Sequence, residues 1–219
     1  MRIGVLALQG SFAEHISHLK KAAAGVTDEE VDVVEVRTAE ELSCCSALVI
    51  PGGESTCMAH IAGEDNLLAP LREYCATHPV WGTCAGMIFL AKSIQGSKKG
   101  GQSLIGNMDI VVNRNFFGNQ RFSFETSMDA PAQLFSEMGV GEGLGGVAGD
   151  ASKFRAVFIR APAILMDDVD AGQDVEYLSV LTLEEPVDQV KRVAVAAKQG
   201  QLLVTAFHPE LTSDLRWHA

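Results

Sequence analysis

The sequence predicts an α/β fold: an open, mainly parallel sheet with helices on both faces, extended by antiparallel strands. Three observations carry that expectation. The first half alternates short apolar runs with helical patterns, which implies parallel pairing through helical crossovers. The second half turns to strand-like segments, the last two joined across Gln199-Gly200 as a tight hairpin. Between the halves, Gly82-Thr83-Cys84-Ala85-Gly86 follows the apolar pair Val80-Trp81 and opens an apolar segment beginning at Met87. A strand, a sharp turn bearing one cysteine and then a helix is the layout of a nucleophile elbow.

In chain order, residues 3–8 read as a strand and residues 12–24 as a helix with Ile16, Leu19 and Ala23 on one face. Strands follow at 31–36 and 47–50, a helix at 67–77, a strand at 80–81 and the post-elbow helix at 85–94. Residues 110–112, 123–128, 156–159, 175–181, 192–198 and 201–207 are strand-like. Glycine stands at 139, 141, 143, 145, 146 and 149, so residues 139–152 are expected to form a flexible surface insertion. No strand-to-helix context or lysine accompanies that run, which argues against a phosphate loop.

The chain has 219 residues and no Pro/Ser-rich linker or repeat, so one domain spanning residues 1–219 is expected. Hydrophobic residues at 47% and charged residues at 21% fit a soluble globular protein and exclude disorder as the main theme. The formal net charge of −11 argues against nucleic acid and anionic membranes as partners. The basic pair Lys98-Lys99 reads as a solvated loop. No stretch has the length of a membrane span, and the N-terminal apolar run is too short for a secretory signal. The five cysteines show neither C-x-x-C nor Cys/His ligand spacing, so no metal site and no disulfide framework is expected. A reducing, cytoplasmic compartment fits that usage.

Glycines on both sides of Cys84 permit a tight turn and keep bulk away from an incoming substrate. The start of a helix also favours the anionic form of a nucleophile. A buried cysteine packed behind a strand is the alternative. Beyond the last strand, Pro209 holds His208 extended, and residues two apart in an extended run face one side. Glu210 can then orient the His208 imidazole, as the acid does in a Cys/His/acid triad; a structural histidine beside an exposed acid is the alternative. The other histidines lack such a neighbourhood, and His15 and His18 on the first helix are expected at the surface or half-packed. Gly52-Gly53 follows a buried strand and can turn an amide toward a developing oxyanion, with the Ala85 amide as second donor.

Together these residues resemble the class I (triad) glutamine amidotransferases, whose fold is flavodoxin-like. Gln9-Gly10, Pro51-Gly52-Gly53-Glu54-Ser55-Thr56, Arg114-Asn115-Phe116-Phe117-Gly118, Phe158-Ile159-Arg160-Ala161-Pro162, Ala196-Ala197-Lys198-Gln199-Gly200 and His208-Pro209-Glu210-Leu211-Thr212 narrow the resemblance. They are similar to the family of glutaminase subunits of pyridoxal 5′-phosphate synthase. The resemblance implies that Cys84, His208 and Glu210 are catalytic and hydrolyse L-glutamine through a glutamyl thioester. It implies that Gly53, Glu54, Ser55, Arg114, Ile159 and Arg160 hold glutamine, with Gly53 and Ala85 forming the oxyanion hole. It also implies that ammonia passes to a (β/α)₈-barrel synthase subunit in a hetero-oligomeric complex, with no metal or organic cofactor. Arg114 and Arg160 suit a bidentate grip on a carboxylate, with surface ion pairing as the alternative.

Three departures from that family stand out: Cys57 in place of a second threonine after Ser55-Thr56, the glycine-rich insertion, and few residues after Thr212 where a closing helix is usual. Two other readings follow from the same residues. One is an amidotransferase subunit serving a different ammonia-using synthase. The other is a catalytically impaired regulatory subunit.

Overall fold

The computed structural model describes residues 1–96, 101–118, 123–132, 144, 150–167 and 174–219. Its first strands are β1 (Arg2–Leu6), β2 (Asp32–Val36), β3 (Ala47–Ile50) and β4 (Val80–Thr83). Helix α1 (Phe12–Val26) joins β1 to β2, and α2 (Ala39–Ser43) joins β2 to β3. Helices α3 (Ser55–Glu64) and α4 (Leu68–Cys75) lead from β3 to β4, and α5 (Ala85–Leu90) follows β4 directly. The second half supplies β5 (Ala91–Gln95), β6 (Met108–Asn113), β7 (Phe124–Asp129), β8 (Lys153–Phe158), β9 (Ala163–Ile164), β10 (Glu176–Val187), β11 (Val190–Gln199) and β12 (Leu202–Thr205).

Among the described residues the main sheet runs β2-β1-β3-β4-β12-β11-β9-β6-β5, with β10 paired to β11. The β2-β1-β3-β4-β12 half is parallel, and the pairings of β11 with β10, β12 and β9 are antiparallel. Strands β7 and β8 form a separate antiparallel pair. The expected α/β sheet with an antiparallel extension is therefore the observed architecture. The parallel strands are short and nearly continuously apolar because both faces are covered; all four residues of β4 are buried. Helix α1 packs on β1 and β2, and α5 on β3, β4 and β12.

Several elements differ from the sequence reading. The apolar run after Cys84 leaves the helix at Leu90, where Ala91 turns extended (φ −62°, ψ 145°) and β5 begins. A short apolar run fits either period, and here parallel pairing of β5 with β6 decides. Helices α2 and α3 are additional. Thr38 and Glu41 form a reciprocal capping box on α2, and the Glu54 carboxylate caps α3 through the Thr56 and Cys57 amides. The hairpin across Gly200 is as expected: Gln199 faces Leu202, and Gly200 takes the left-handed conformation (φ 56°).

The Lys98-Lys99 pair lies outside the described residues, as does most of the segment 139–152. Within that segment Leu144 is buried, and its carbonyl accepts from the Leu215 amide at 2.7 Å. Residues beyond Thr212 also turn inward. The Asp214 carboxylate and Arg216 guanidinium pair in a buried site, and Trp217 packs edge-on against Phe154 and Phe207. The His18 ring bonds the Thr212 carbonyl at 2.9 Å, tying this segment to α1.

Candidate active site

Parallel pairing of β4 with β12 sets Thr83 opposite Thr205, so both chains leave the sheet side by side at its carboxyl end. That register brings Cys84 and His208 together although 124 positions separate them in sequence. The Cys84 amide donates to the Thr205 carbonyl at 2.8 Å, and the His208 amide donates to Val157 at the end of β8 at 2.8 Å. Cys84 stands at φ 47°, ψ −99°, a conformation that costs a non-glycine residue of order 1–3 kcal/mol and that the surrounding packing imposes. The elbow is held tightly from below. A Cβ on Gly86 would lie 2.1 Å from the Ile50 carbonyl oxygen, so only glycine lets α5 approach β3 this closely.

His208 Nδ1 lies 2.8 Å from Glu210 Oε1, which leaves Nε2 as the ring nitrogen available to the neighbouring Cys84 side chain. Burial opposes charging of His208, yet its hydrogen bonds to Cys84 and Glu210, and the field of both, push its pKa up to about 10. Burial likewise opposes ionisation of Glu210, but His208, His15 and Ser11 bring it down to about 2. The result is a ring whose proton-bound form is favoured, held between the Glu210 carboxylate and the Cys84 sulfur, inside the protein and beside the cleft.

The cleft, about 110 Å³, is lined by Gly53, Glu54, Ser55, Cys84, Ile88, Arg114, Asn115, Ile159 and Arg160. Every residue that the family resemblance implies for glutamine binding therefore lies on its wall, from three separate loops. Ala85 is buried at the first position of α5, immediately after Cys84. The Gly53-Glu54 peptide is pinned by Gln9, whose Oε1 accepts from the Glu54 amide at 2.7 Å. Gly52 lies against His208: a Cβ there would come within 2.6 Å of its Cε1.

The two arginines differ. Arg114 Nη2 donates to Glu54 Oε1 at 3.2 Å and to Thr56 Oγ1 at 3.1 Å, so part of its fork is already engaged inside the cleft wall. Although burial pushes the other way, the Cys57 and Thr56 amides, the Thr56 hydroxyl and Arg114 hold the Glu54 carboxyl below its ordinary range. Arg160 is exposed and stands at φ 46° on the cleft rim, next to Ile159, which is 40% exposed.

One expectation is overturned. His15 is fully buried, not on the surface, and its Nε2 lies 3.4 Å from Glu210 Oε2. Its position in the first turn of α1 faces the sheet because that turn packs over the end of β4, where Thr83 Oγ1 meets the ring at 3.2 Å. Gln9, Ser11, Ile88, Asn115 and Gln102 join the site without having been singled out as site residues. Gln102 Oε1 accepts from the Ser55 and Thr56 hydroxyls. A serine following Gly10 at a helix start reads as an N-cap, and nothing local in the sequence marks it as a partner of Glu210. Among the described residues no cluster of three or more His, Cys, Asp or Glu side chains is arranged to hold a metal ion. No described helix is long and apolar enough to cross a membrane.

Comparison with known proteins points the same way as this geometry. A probable pyridoxal 5′-phosphate synthase subunit PDX2 of Arabidopsis thaliana is 47% identical, the match covering all of this chain and 84% of the relative. A pyridoxal 5′-phosphate synthase subunit PdxT of Herpetosiphon aurantiacus is 44% identical over all of this chain and 97% of its own length. A crystal structure of a glutamine amidotransferase superposes with a TM-score of 0.73 at 36% identity, covering 99% of this chain and 94% of that one. The family model of SNO glutamine amidotransferases matches residues 5–219, and with a cysteine elbow, a buried His-Glu pair and a shared cleft in place, the chain belongs to that family.

Proposed function

We propose that this chain is the glutaminase subunit of a pyridoxal 5′-phosphate synthase and works as a single catalytic domain in a cytoplasmic setting. The observation that carries this reading is the alignment Cys84–His208–Glu210 opening onto the cleft. The Cys84 sulfur attacks the side-chain amide carbon of L-glutamine, and His208 takes up the thiol proton. As the tetrahedral intermediate collapses, the C–N bond breaks and His208 returns that proton to the leaving ammonia. Water, activated by His208, then cleaves the γ-glutamyl thioester to release L-glutamate and restore the thiol. Glu210 holds the ring in the tautomer that presents Nε2 to sulfur.

In this reading Gly53, Glu54, Ser55, Arg114, Ile159 and Arg160 hold the substrate, the arginines facing its α-carboxylate. The Gly53 and Ala85 amides stabilise the oxyanion. Ammonia passes to a (β/α)₈-barrel synthase subunit, and two relatives carry the name of a pyridoxal 5′-phosphate synthase subunit. The step needs neither metal nor organic cofactor, since thiol, imidazole and carboxylate supply its nucleophile, acid and base. Five free cysteines suit a reducing compartment.

The test is glutamine-dependent release of ammonia and glutamate by the purified chain, with and without a barrel subunit, beside Cys84→Ala. Activity that rises on adding the barrel and disappears in the variant is the expected result. Undiminished turnover by a folded Cys84→Ala protein would exclude the nucleophile.

A further inference from the structure

Behind the triad lies a pair of imidazoles that the hydrolytic cycle does not use. His15 faces Glu210 Oε2 with its Nε2 at 3.4 Å, and on its far side Nδ1 lies 2.9 Å from His218 Nε2. Glu210 divides its contacts unequally. Oε1 takes both Ser11 Oγ at 2.7 Å and His208 Nδ1 at 2.8 Å, whereas Oε2 is buried with no hydrogen-bond partner among the described residues. His218 Nδ1 is also buried without a partner.

Two ring nitrogens 2.9 Å apart require one proton between them, and the two ways of placing it are not equivalent. If His15 carried the proton on Nδ1, its Nε2 lone pair would face the Glu210 carboxylate in a site shielded from water. His218 would then carry its own proton on Nδ1, leaving a buried N–H with no acceptor, the rarer and costlier kind of orphan. If His218 donates from Nε2, both penalties vanish. His15 then carries its proton on Nε2, toward Glu210 Oε2 and Thr83 Oγ1, and His218 Nδ1 is a bare lone pair.

We propose that His218 fixes the tautomer of His15, and that His15 is thereby a positioning residue for the triad, its Nε2–H steadying the second oxygen of Glu210. Glu210 Oε1 then stays directed at His208, and a residue of the C-terminal segment acts on the nucleophile through three side chains, those of His15, Glu210 and His208. The inference rests on the triad reading given above. The titratable groups that face this pair are Glu14 and His18 on α1, and His208 and Glu210 beyond β12. Burial keeps both imidazoles neutral, with His15 lowered to about 4 and His218 to about 2, as a fixed-tautomer role requires.

The first measurement is ¹⁵N-resolved NMR of the histidine rings in the full chain near pH 7, without substrate. A His15 ring protonated on Nε2 and bare on Nδ1 is expected; protonation on Nδ1 would overturn the proposal. The second is glutaminase kinetics with the barrel subunit for His218→Gln and His218→Phe. Glutamine retains an N–H for His15 and phenylalanine does not. His218→Phe is expected to lower kcat about tenfold with KM within about twofold, and His218→Gln to recover most of the loss. Equal kcat for the two variants would refute the role. The ring spectra need no turnover, so a failure of the nucleophile assignment in Cys84→Ala is read separately from a failure here.

Discussion

The Ser11 hydroxyl donates to Glu210 Oε1 at 2.7 Å, although Ser11 occupies the N-cap of α1 and makes no side-chain capping bond there. A serine at that position ordinarily satisfies a helix amide, for about 1 kcal/mol. A hydrogen bond to a buried carboxylate is worth about 1.5–3 kcal/mol, so Glu210 is the stronger claimant on the hydroxyl. The contact ties residues 199 positions apart and fixes where the helix begins relative to Glu210 and, through it, His208.

Ser11→Ala should therefore act on catalysis as well as stability. With its share of Glu210 Oε1 lost, the carboxylate is free to rotate away from His208. We expect kcat to fall about tenfold with KM for glutamine nearly unchanged, and the thermal midpoint to drop by roughly 3–10 °C. Ser11→Thr, which keeps the hydroxyl, should retain most of both. An alanine variant with full kcat would show that Ser11 does not help hold Glu210.

Gly52→Ala tests how closely the loop and the imidazole are fitted. The new methyl would lie 2.6 Å from His208 Cε1 and 3.1 Å from Nδ1, so the ring has to move. A misplacement of about 1 Å at a reacting group costs on the order of 100-fold in rate. That loss is expected in kcat, with the circular dichroism of the wild type retained. Normal kcat in the variant would mean that the ring is not confined by Gly52.

The contrast between Cys84 and His15 shows what could be read from sequence. Cys84 announces itself locally: glycines two positions away on either side, an apolar strand before and an apolar helix after. His208 and Glu210 are also legible because proline and a spacing of two place them on one side. His15 owes its role to contacts 195 and 203 positions away with Glu210 and His218, which no local pattern encodes. Gln102, which receives the Ser55 and Thr56 hydroxyls, escapes notice for the same reason. Helix α3 is hard to read for a different one: it follows the Gly-Gly turn with Ser-Thr-Cys, a weakly apolar start, and relies on Glu54 as its cap. The parallel core was recoverable because buried strands between helices leave continuous apolar runs, while the boundary between α5 and β5 depends on the pairing partner β6.

Arg114 supplies a prediction about binding rather than chemistry. Its Nη2 is engaged by Glu54 and Thr56, while Nη1 and Nε have no acceptor among the described residues. Those donors suit the carboxylate of glutamine, with Glu54 fixing the guanidinium plane. Arg114→Ala should raise KM at least about tenfold with a smaller effect on kcat, and Arg114→Lys should recover little because a lysine cannot reproduce the fork. A KM unchanged within twofold would move the carboxylate site to Arg160.

The histidines around Glu210 should also shape stability with pH, in opposite directions. His208 is raised from 6.5 to about 10 despite burial, so its contribution is fully present below pH 6.5 and is lost as pH rises through about 10. His15 and His218 are lowered by burial from 6.5 to about 4 and about 2, so between those values and 6.5 the unfolded chain binds protons that the folded chain refuses. Stability from these two falls as pH drops below 6.5. Glu210, lowered to about 2, adds a contribution present above 4.5 and lost toward pH 2. Taken together, the four groups place the stability maximum near pH 6.5. Urea midpoints at pH 4.5, 6.5 and 9 for the wild type, His218→Phe and Cys84→Ala isolate the contributions by difference. His218→Phe should lose less stability than the wild type between pH 6.5 and 4.5, since one refused proton is gone. Cys84→Ala removes a partner that raises His208, so that contribution should be lost at lower pH than in the wild type. Parallel profiles for all three proteins would mean that neither His218 nor the Cys84–His208 contact couples proton binding to folding.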